Sequence, residues 1–423
     1  MNRWLQVFTN PDLRRKILLV IGILVIYRLL AAIPVPGVDP QAVQDITEGN
    51  QFFQLVDTFA GGGFSSVSIV MLSVAPYITS SIIMQLSTVA FPQMKALQKE
   101  EGEQGRQQFN QYTRLLTIPL AILQSISIIT LFRSQGIVTD LVPLEIITAI
   151  SVITAGTVTL MWFGEIITNQ KIGNGISMII FAGIISALPN AIQQFSAIYN
   201  PQDIPIYILY LALIVGGIMG IVFVNEGQRN IPISYSKQAR QSLSVRSQVE
   251  NYLPLKVNQA GVIPIIFAFS IIFFPTFILQ ALVQSDQEWL RETSQNLLVI
   301  WTDDLFLSIG AFVLVFAFTY FYTSIIFDPH SIADNLQRRG GFITGIRPGE
   351  QTAEYLSYVS KRIILFGALF LGIIAVVPFV LTAFTGQEAL AVGGTSLLIV
   401  VSVVVETMKQ IDAQIIVRDY ENL

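Results

Sequence analysis

Long apolar stretches without charged residues recur along the whole chain and alternate with polar segments. Each is long enough for a helix that crosses a lipid bilayer, which needs about 20 apolar residues. The stretches are continuous and lack the two-residue alternation of membrane barrels, so they predict helices. Ten transmembrane helices are predicted, at residues 17–36, 66–91, 113–132, 146–168, 174–194, 206–225, 258–283, 304–327, 362–384 and 393–412.

The polar segment Tyr199–Tyr207 divides these spans into two groups of five, within residues 1–198 and 206–423. An odd number of spans per half means that any structural repeat is inverted across the membrane, an arrangement that often places a pathway between the halves. All Lys and Arg residues except Arg28, Arg133 and Arg291 fall on one side of this topology. The positive-inside rule therefore places both termini in the cytoplasm.

The segments between the spans differ in length and charge. Two long basic loops, residues 225–257 and 328–361, lie on the cytoplasmic side and are expected to project from the membrane because they contain few apolar clusters. On the opposite side, residues 284–303 predict a helix at the membrane surface, with Trp289 at the level of the lipid headgroups.

The composition agrees with an all-α polytopic membrane protein and argues against an enzyme. The chain is 52% hydrophobic and 12% charged, with no cysteine and one histidine. Thiol catalysis, Cys-ligated metal and a histidine metal cluster are therefore excluded, and we expect no catalytic residue, metal or cofactor. No cleavable targeting segment is visible before the first span, which is expected of a bacterial or organelle-encoded inner-membrane protein.

Two functions remain open from the residues alone. A secondary transporter of small solutes, built on an inverted repeat, needs charged groups near the middle of the membrane. Glu406 is the deepest carboxylate, whereas Arg28 is close enough to a span end to extend outward. The alternative is a pathway with non-binding walls, since several spans combine uncharged polar residues with aliphatic runs such as Ile176–Phe181. Rings of aliphatic side chains can close a pore by dewetting.

Eight segments, in this order and between these spans, resemble the SecY family of protein-conducting channels. The resemblance covers nearly the whole chain and implies ten helices, in two inverted five-helix halves, around a central hourglass pore. It also implies translocation of unfolded preproteins and lateral release of transmembrane segments into the bilayer. The segments are IPVPGVD (33–39), FAGGGFSSVSI (59–69), PYITSSIIMQL (76–86), EGEQGRQQFNQYTR (101–114), IGNGIS (172–177), LPLKVNQAGVIP (253–264), GIRPGEQT (345–352) and GGTSLLIVV (393–401).

The resemblance also implies which residues seal and open the pore. The aliphatic pore ring is expected from Val74, Ile78, Ile176, Ile180, Ile266 and Ile399. A plug helix is expected at about residues 52–66, with Phe59, Gly61, Gly62, Gly63 and Phe64 at its centre. Its glycines weaken local structure, which suits an element that must leave and return. The lateral gate is expected at Thr79, Gln85, Gln124 and Asn258.

The family resemblance further implies partners on the cytoplasmic side. The ribosome, including its RNA phosphates, and the SecA ATPase are expected to dock at Arg229, Lys237, Arg240, Arg246 and Arg347. Because no nucleotide-binding motif is present, the energy must come from such a partner. A SecE-like subunit, a third SecG-like small subunit, signal peptides, nascent membrane proteins and lipid complete the expected set. The location is the bacterial plasma membrane, with a cyanobacterial or plastid thylakoid left open.

Overall fold

The structure is a computed structural model of the 423-residue chain. It describes residues 10–48, 53, 57, 60–99, 102–137, 142–198, 201, 204–235, 251–283, 287–301, 303–385 and 388–421.

The described chain is mostly helical and contains one small sheet. Its helices are α1 Pro11–Ala31, α2 Pro40–Glu48, α3 Ala75–Ala90, α4 Pro92–Lys99, α5 Gly102–Ser134, α6 Pro143–Asn169, α7 Gly175–Ile198, α8 Ile204–Glu226, α9 Ile263–Leu282, α10 Glu288–Trp301, α11 Asp304–Ile326, α12 Pro329–Arg338, α13 Glu350–Thr385 and α14 Glu388–Glu421. Its strands are β1 Gln228–Tyr235, β2 Asn251–Lys256 and β3 Gly341–Ile343.

A helix occupies each of the ten apolar windows predicted from the sequence. By length and composition, five helical stretches of the described residues could cross a membrane, and two shorter apolar ones accompany them. The five are Gly102–Arg133, Pro143–Asn169, Ile263–Gln280, Leu305–Arg338 and Glu350–Val377; the shorter two are Gly175–Pro189 and Leu211–Glu226. The first helix ends at Ala31, five residues before the predicted boundary, because Pro34 disfavours helical backbone at the residue before it.

The second predicted span, 66–91, is helical only from Ala75. Residues 61–74 form successive turns instead, and Val67 and Ser73 adopt positive φ angles of 48° and 49°, which helices do not contain. This turn segment is attached to the chain after α1, since Val35 N donates to Val67 O at 2.8 Å and Ile69 N donates to Ile33 O at 3.0 Å. Pro76 therefore lies in the first turn of α3, where proline is well tolerated.

The two long basic loops are joined by a three-stranded antiparallel sheet, which the sequence analysis did not anticipate. The strand order is β2-β1-β3, with Ile231 opposite Leu253 and Ile233 opposite Ile343. A separate apolar core lies beneath it, formed by Ile231, Leu255, Ile343, Leu356 and Val359. The second loop also contains α12 and the first turns of α13, so these segments form a small folded unit rather than extended loops.

The main core lies where helices from both ends of the chain meet. Helix α9 packs against α3, α5 and α11, and α14 packs against α7 and α8. Helix α10 forms where a surface helix was predicted, and Trp289 on it is 65% exposed. This packing brings residues from α3, α5, α7 and α9 to one place, which is where the candidate site lies.

Candidate functional site

A narrow apolar cavity lies at the junction of α3, α5, α7 and α9. Its volume is about 40 Å³, enough for only a few water molecules. Four of the six predicted ring residues line this ring cavity, and each is at most 6% exposed. These four are Val74, Ile78, Ile180 and Ile266.

The other two predicted ring residues lie elsewhere. Ile176 lines a neighbouring wide cavity of about 290 Å³, which also reaches Ile78 and Ile266. Ile399 is completely buried in the same core but lines neither the ring cavity nor the wide cavity. The ring cavity and the wide cavity therefore share Ile78 and Ile266 in their walls.

The wide cavity is polar where the ring cavity is apolar. Its wall carries Asn110, Arg114, Glu165 and Asn174. Arg114 Nε and Glu165 Oε1 form an ion pair at 2.5 Å across this wall, and both side chains retain solvent contact. Because the pair is exposed, it contributes little to stability. The wide cavity therefore has a polar wall that water can solvate, whereas the wall of the ring cavity is apolar.

The plug loop, defined here as Asp57 and residues 60–66, is part of the predicted plug and lies directly beside the ring cavity. Ala60 lines that cavity, and Phe64 is 1% exposed, stacked on Phe53 with ring centroids 5.7 Å apart. Phe53, Asp57 and Ala60 are helical, whereas residues 61–66 form turns, and Gly61 and Gly62 have φ angles of 66° and 77°. Phe59, which was expected at the centre of the plug, lies outside the described residues.

Asp57 closes the plug loop on itself. Its carboxylate accepts hydrogen bonds from Phe64 N at 3.0 Å, Ser65 N at 2.8 Å and Ser65 Oγ at 2.9 Å. The Gly62 N–H donates to the backbone oxygen of Asp57 at 2.9 Å. These bonds satisfy backbone donors that a glycine-rich turn would otherwise leave unpaired, so the loop has one defined shape despite its glycines.

The predicted gate residues do not form one cluster. Thr79 and Gln124 both line the ring cavity, whereas Gln85 lines the wide cavity. Thr79 Oγ1 donates back to Ala75 O within its own helix. Within the described chain, Gln124 Oε1 and Gln85 Oε1 are buried without a hydrogen-bond partner. Such atoms are costly in a dry site and are available to a water molecule or a peptide group.

Asn258 belongs to a third site, a polar network between α8, α9 and α14. Its Nδ2 donates to Asn225 Oδ1 at 2.7 Å, and Asn225 Nδ2 donates to Ser402 Oγ at 3.0 Å. Lys409 on α14 pairs with Glu226 at 2.9 Å. Asn258 therefore ties the segment before α9 to α8 and α14, although the family resemblance grouped it with Thr79 in the lateral gate.

Glu406, the carboxylate weighed for a transporter, lines the cavity of this polar network, which has a volume of about 310 Å³. It accepts a hydrogen bond from Gln410 at 3.4 Å. Within the described residues, no group of three His, Cys, Asp or Glu residues could hold a metal ion.

Two of the five predicted docking residues can be placed. Arg229 is exposed on β1, and Arg347 is exposed in the turn between β3 and α13. Their strands are neighbours in the sheet, so the two arginines belong to the same folded unit. Gly345 and Gly349, with φ angles of 84° and 97°, form the turn around Arg347, and Thr352 Oγ1 donates to the Arg347 backbone oxygen at 2.9 Å. Lys237, Arg240 and Arg246 lie outside the described residues.

Arg28 is a residue whose role the sequence analysis missed. It was expected to extend to the outer surface, but its Nη1 donates to Gly61 O in the plug loop at 2.7 Å. The signal available in the sequence was a lone arginine in the last turn of an apolar helix. Nothing local to that helix indicates that its partner is a backbone carbonyl of the plug loop.

Comparisons with known proteins agree with this architecture. The SecY family model matches residues 68–408. The protein translocase subunit SecY of Streptomyces coelicolor is 42% identical over 437 residues, covering 98% of each protein. A solved SecY channel, studied for a plug domain that stabilises its closed state and maintains a membrane seal, superimposes with a TM-score of 0.62 at 17% identity, over 92% of this chain and 89% of that one.

A second solved structure, Sec61 in the canine ribosome-channel complex from the endoplasmic reticulum, gives a TM-score of 0.60 at 17% identity, over 93% of this chain and 90% of that one. At these identities the two structures establish the fold. The family model and the Streptomyces relative span most of the chain and establish its family. The chain belongs to the SecY family of protein translocase subunits.

Proposed function

We propose that the chain is a protein-conducting channel that moves unfolded preproteins across the membrane. One observation carries this proposal: aliphatic side chains from three separate segments converge, beside the plug loop, on a cavity of about 40 Å³ that shares Ile78 and Ile266 with a polar cavity of about 290 Å³. A translocating chain presents every type of side chain. A seal of flexible aliphatic groups conforms to all of them and binds none strongly, whereas fixed polar groups would retain the cargo.

The full proposed architecture has ten transmembrane helices in two inverted halves with a lateral gate between them. The packing of α9 against α3 and α5 supports a seam at this place, because those helices belong to opposite halves of the chain. A hydrophobic segment that reaches the opened seam partitions into lipid by its own free energy, at a few tenths of a kcal/mol for each Leu-like residue. The channel therefore needs only to open the seam.

The partners follow from the exposed folded unit and the absence of a nucleotide-binding motif. We propose that Arg229, Arg347 and the basic segment around Lys237, Arg240 and Arg246 receive SecA or a ribosome on the cytoplasmic face. Ribosome docking is supported by the structural similarity to a channel solved in a ribosome complex. SecE-like and SecG-like subunits, and a bacterial plasma membrane or a thylakoid with cytoplasmic or stromal termini, complete the proposal.

Reconstitution tests the proposed function directly. The chain, with SecE-like and SecG-like subunits in lipid vesicles, is expected to import an unfolded preprotein only when SecA and ATP are present, as measured by protease protection. Ion-driven uptake of a small solute without a motor, together with no preprotein import, would show a transporter instead. Arg347→Ala is expected to reduce import, and Arg339→Ala, an exposed arginine of the same cytoplasmic loop, is its matched control.

A further inference from the structure

The plug loop touches α7 at one point, where two glycines cross. A Cβ atom added to Gly61 would lie 2.4 Å from Gly183 Cα, and one added to Gly183 would lie 2.8 Å from Gly61 Cα. Both distances are shorter than any normal carbon contact, so the two backbones can approach this closely only because neither residue has a side chain. The next glycine, Gly62, has nothing within 4 Å of an added Cβ.

Two side chains converge on the carbonyl oxygen of Gly61 at this crossing. Arg28 Nη1 on α1 donates to it at 2.7 Å, and Ser186 Oγ on α7 lies 3.4 Å away while also donating to Gly183 O at 2.6 Å. The preceding carbonyl is held as well, since Tyr27 Oη donates to Ala60 O at 3.3 Å. The hydrogen bond from the guanidinium is the strongest of these, because its donor is charged.

We propose that Tyr27, Arg28, Gly183 and Ser186 form a plug seat, a set of positioning residues that determines how readily the closed channel opens. This inference rests on the proposed function, in which the plug loop blocks the pore. When the plug leaves, the glycine contact and the hydrogen bonds to the Ala60 and Gly61 carbonyls are lost together. The seat therefore contributes to the closed state as a unit.

The plug loop is built so that it can return to this seat. The hydrogen bonds of Asp57 to Phe64 and Ser65 lie entirely within the loop and do not depend on α1 or α7. A loop that retains them after leaving still presents the Gly61 carbonyl in one orientation. Preorganisation of this kind lowers the entropy lost on binding, so the displaced plug can close the channel again without refolding.

The position of Arg28 also has a simpler explanation. An arginine near a helix end extends its guanidinium to the membrane surface, and Arg28 is an exposed residue. That explanation accounts for the location of the charge. It does not account for the bond to Gly61 O, the glycine crossing, or Ser186 Oγ directed at the same carbonyl from another helix.

Gly183→Ala is the first test, because it adds one methyl group at the crossing. Alanine favours helix over glycine, so the change does not weaken α7 itself. Gly216→Ala is the matched control, since Gly216 lies in α8 and an added Cβ meets nothing within 4 Å. In planar bilayers, Gly183→Ala is expected to raise the resting ion conductance by about ten- to a hundredfold. Gly216→Ala is expected to leave it unchanged.

Arg28→Gln is the second test and removes the charged donor without adding bulk. Its resting conductance is expected to rise by a factor of about ten or more, and Arg28→Lys is expected to restore part of the seal. The double variant Arg28→Gln with Gly183→Ala is expected to show less than the product of the two increases, because both release the same loop. Preprotein import driven by SecA and ATP is expected to persist in all of these variants.

The outcomes separate the seat from the pore. Equal conductance of Gly183→Ala, Gly216→Ala and the unmodified channel would overturn the seat, as would strictly multiplicative effects in the double variant. If the seat variants leave the resting conductance unchanged while serine replacements in the aliphatic ring raise it, the pore assignment stands and only the seat is wrong. If neither the ring variants nor the seat variants change the resting conductance, the proposed pore itself is wrong.

Discussion

In the proposed channel, the aliphatic ring and the plug seat close the same passage with opposite chemistry. At the ring, Val74, Ile78, Ile180 and Ile266 surround a cavity of about 40 Å³, and their side chains have no polar atoms. At the seat, a single carbonyl of Gly61 receives a charged donor at 2.7 Å, and the backbone lies against Gly183 with no room for a methyl group. The ring relies on apolar contact, and the seat relies on exact geometry.

This difference separates two requirements of a channel for unfolded protein. Dispersion contacts among aliphatic side chains are individually weak and non-directional, so the ring can widen by small rotamer changes around any cargo. A charged hydrogen bond and a glycine crossing are either made or lost, so the seat sets a threshold for opening. A seal that relied only on aliphatic contacts would have no threshold for opening. A seal that relied only on fixed hydrogen bonds and backbone contacts could not adapt to different cargo side chains.

The largest expected effect comes from removing the apolar character of the ring. In Ile78→Ser with Ile180→Ser, two buried aliphatic side chains are shortened, each a change that costs about 2–5 kcal/mol in a protein core. The added hydroxyl groups also favour water in a constriction that excludes it. Resting ion conductance in planar bilayers is expected to rise more than about a hundredfold, and import of preproteins with defective signal sequences is expected to increase.

A matched pair on the outer face of the protein controls for the chemistry of this change. Ile309→Ser with Ile373→Ser replaces side chains that are 57% and 58% exposed on α11 and α13 and that do not line the ring cavity. This control is expected to retain the resting seal. Unchanged conductance in the ring variant, or an equal leak in both variants, would show that Ile78 and Ile180 do not form the constriction.

Much of this arrangement could be predicted from the sequence. Apolar windows located a helix in every predicted span, because burial of long uncharged stretches in lipid requires helical backbone. The family resemblance then placed Ile78, Ile180 and Ile266, which the structure brings to one cavity from α3, α7 and α9. These placements share a cause: each residue is identified by a signal within its own segment.

The features that could not be predicted depend on pairs of distant segments. Arg28, Gly61 and Ser186 meet in space, but each looks ordinary in its own segment. The sheet was missed for the same reason, since β1 and β3 pair across about a hundred residues and neither loop has an apolar pattern strong enough to indicate a core. Helix α3 begins at Ala75 rather than at residue 66 because of positive φ angles at Val67 and Ser73, which single residue types do not reveal.

An intermediate effect on the resting conductance is expected from alanine substitution at Gly61, and the neighbouring Gly62 provides the control. Gly61→Ala and Gly62→Ala share the cost of a positive φ angle, about 1–2 kcal/mol for a residue with a side chain. Only Gly61→Ala also brings a methyl group to 2.6 Å from Tyr27 Oη and against Gly183. The resting conductance of Gly61→Ala is expected to exceed that of Gly62→Ala by about tenfold or more. Equal conductance in planar bilayers would mean that loop strain, rather than the seat, controls closure.

The smallest effect is expected from a change of shape at the ring. Ile266→Leu keeps the volume and apolar character of a side chain that is 5% exposed, and such swaps cost less than about 1.5 kcal/mol in a core. The resting conductance is expected to change by less than about tenfold, with SecA-driven import retained. A leak as large as that of the serine pair would show that the ring depends on exact fit, as the seat does. The contrast between a conforming ring and a geometrically exact seat would then be lost, because both layers of the seal would have the same physical basis.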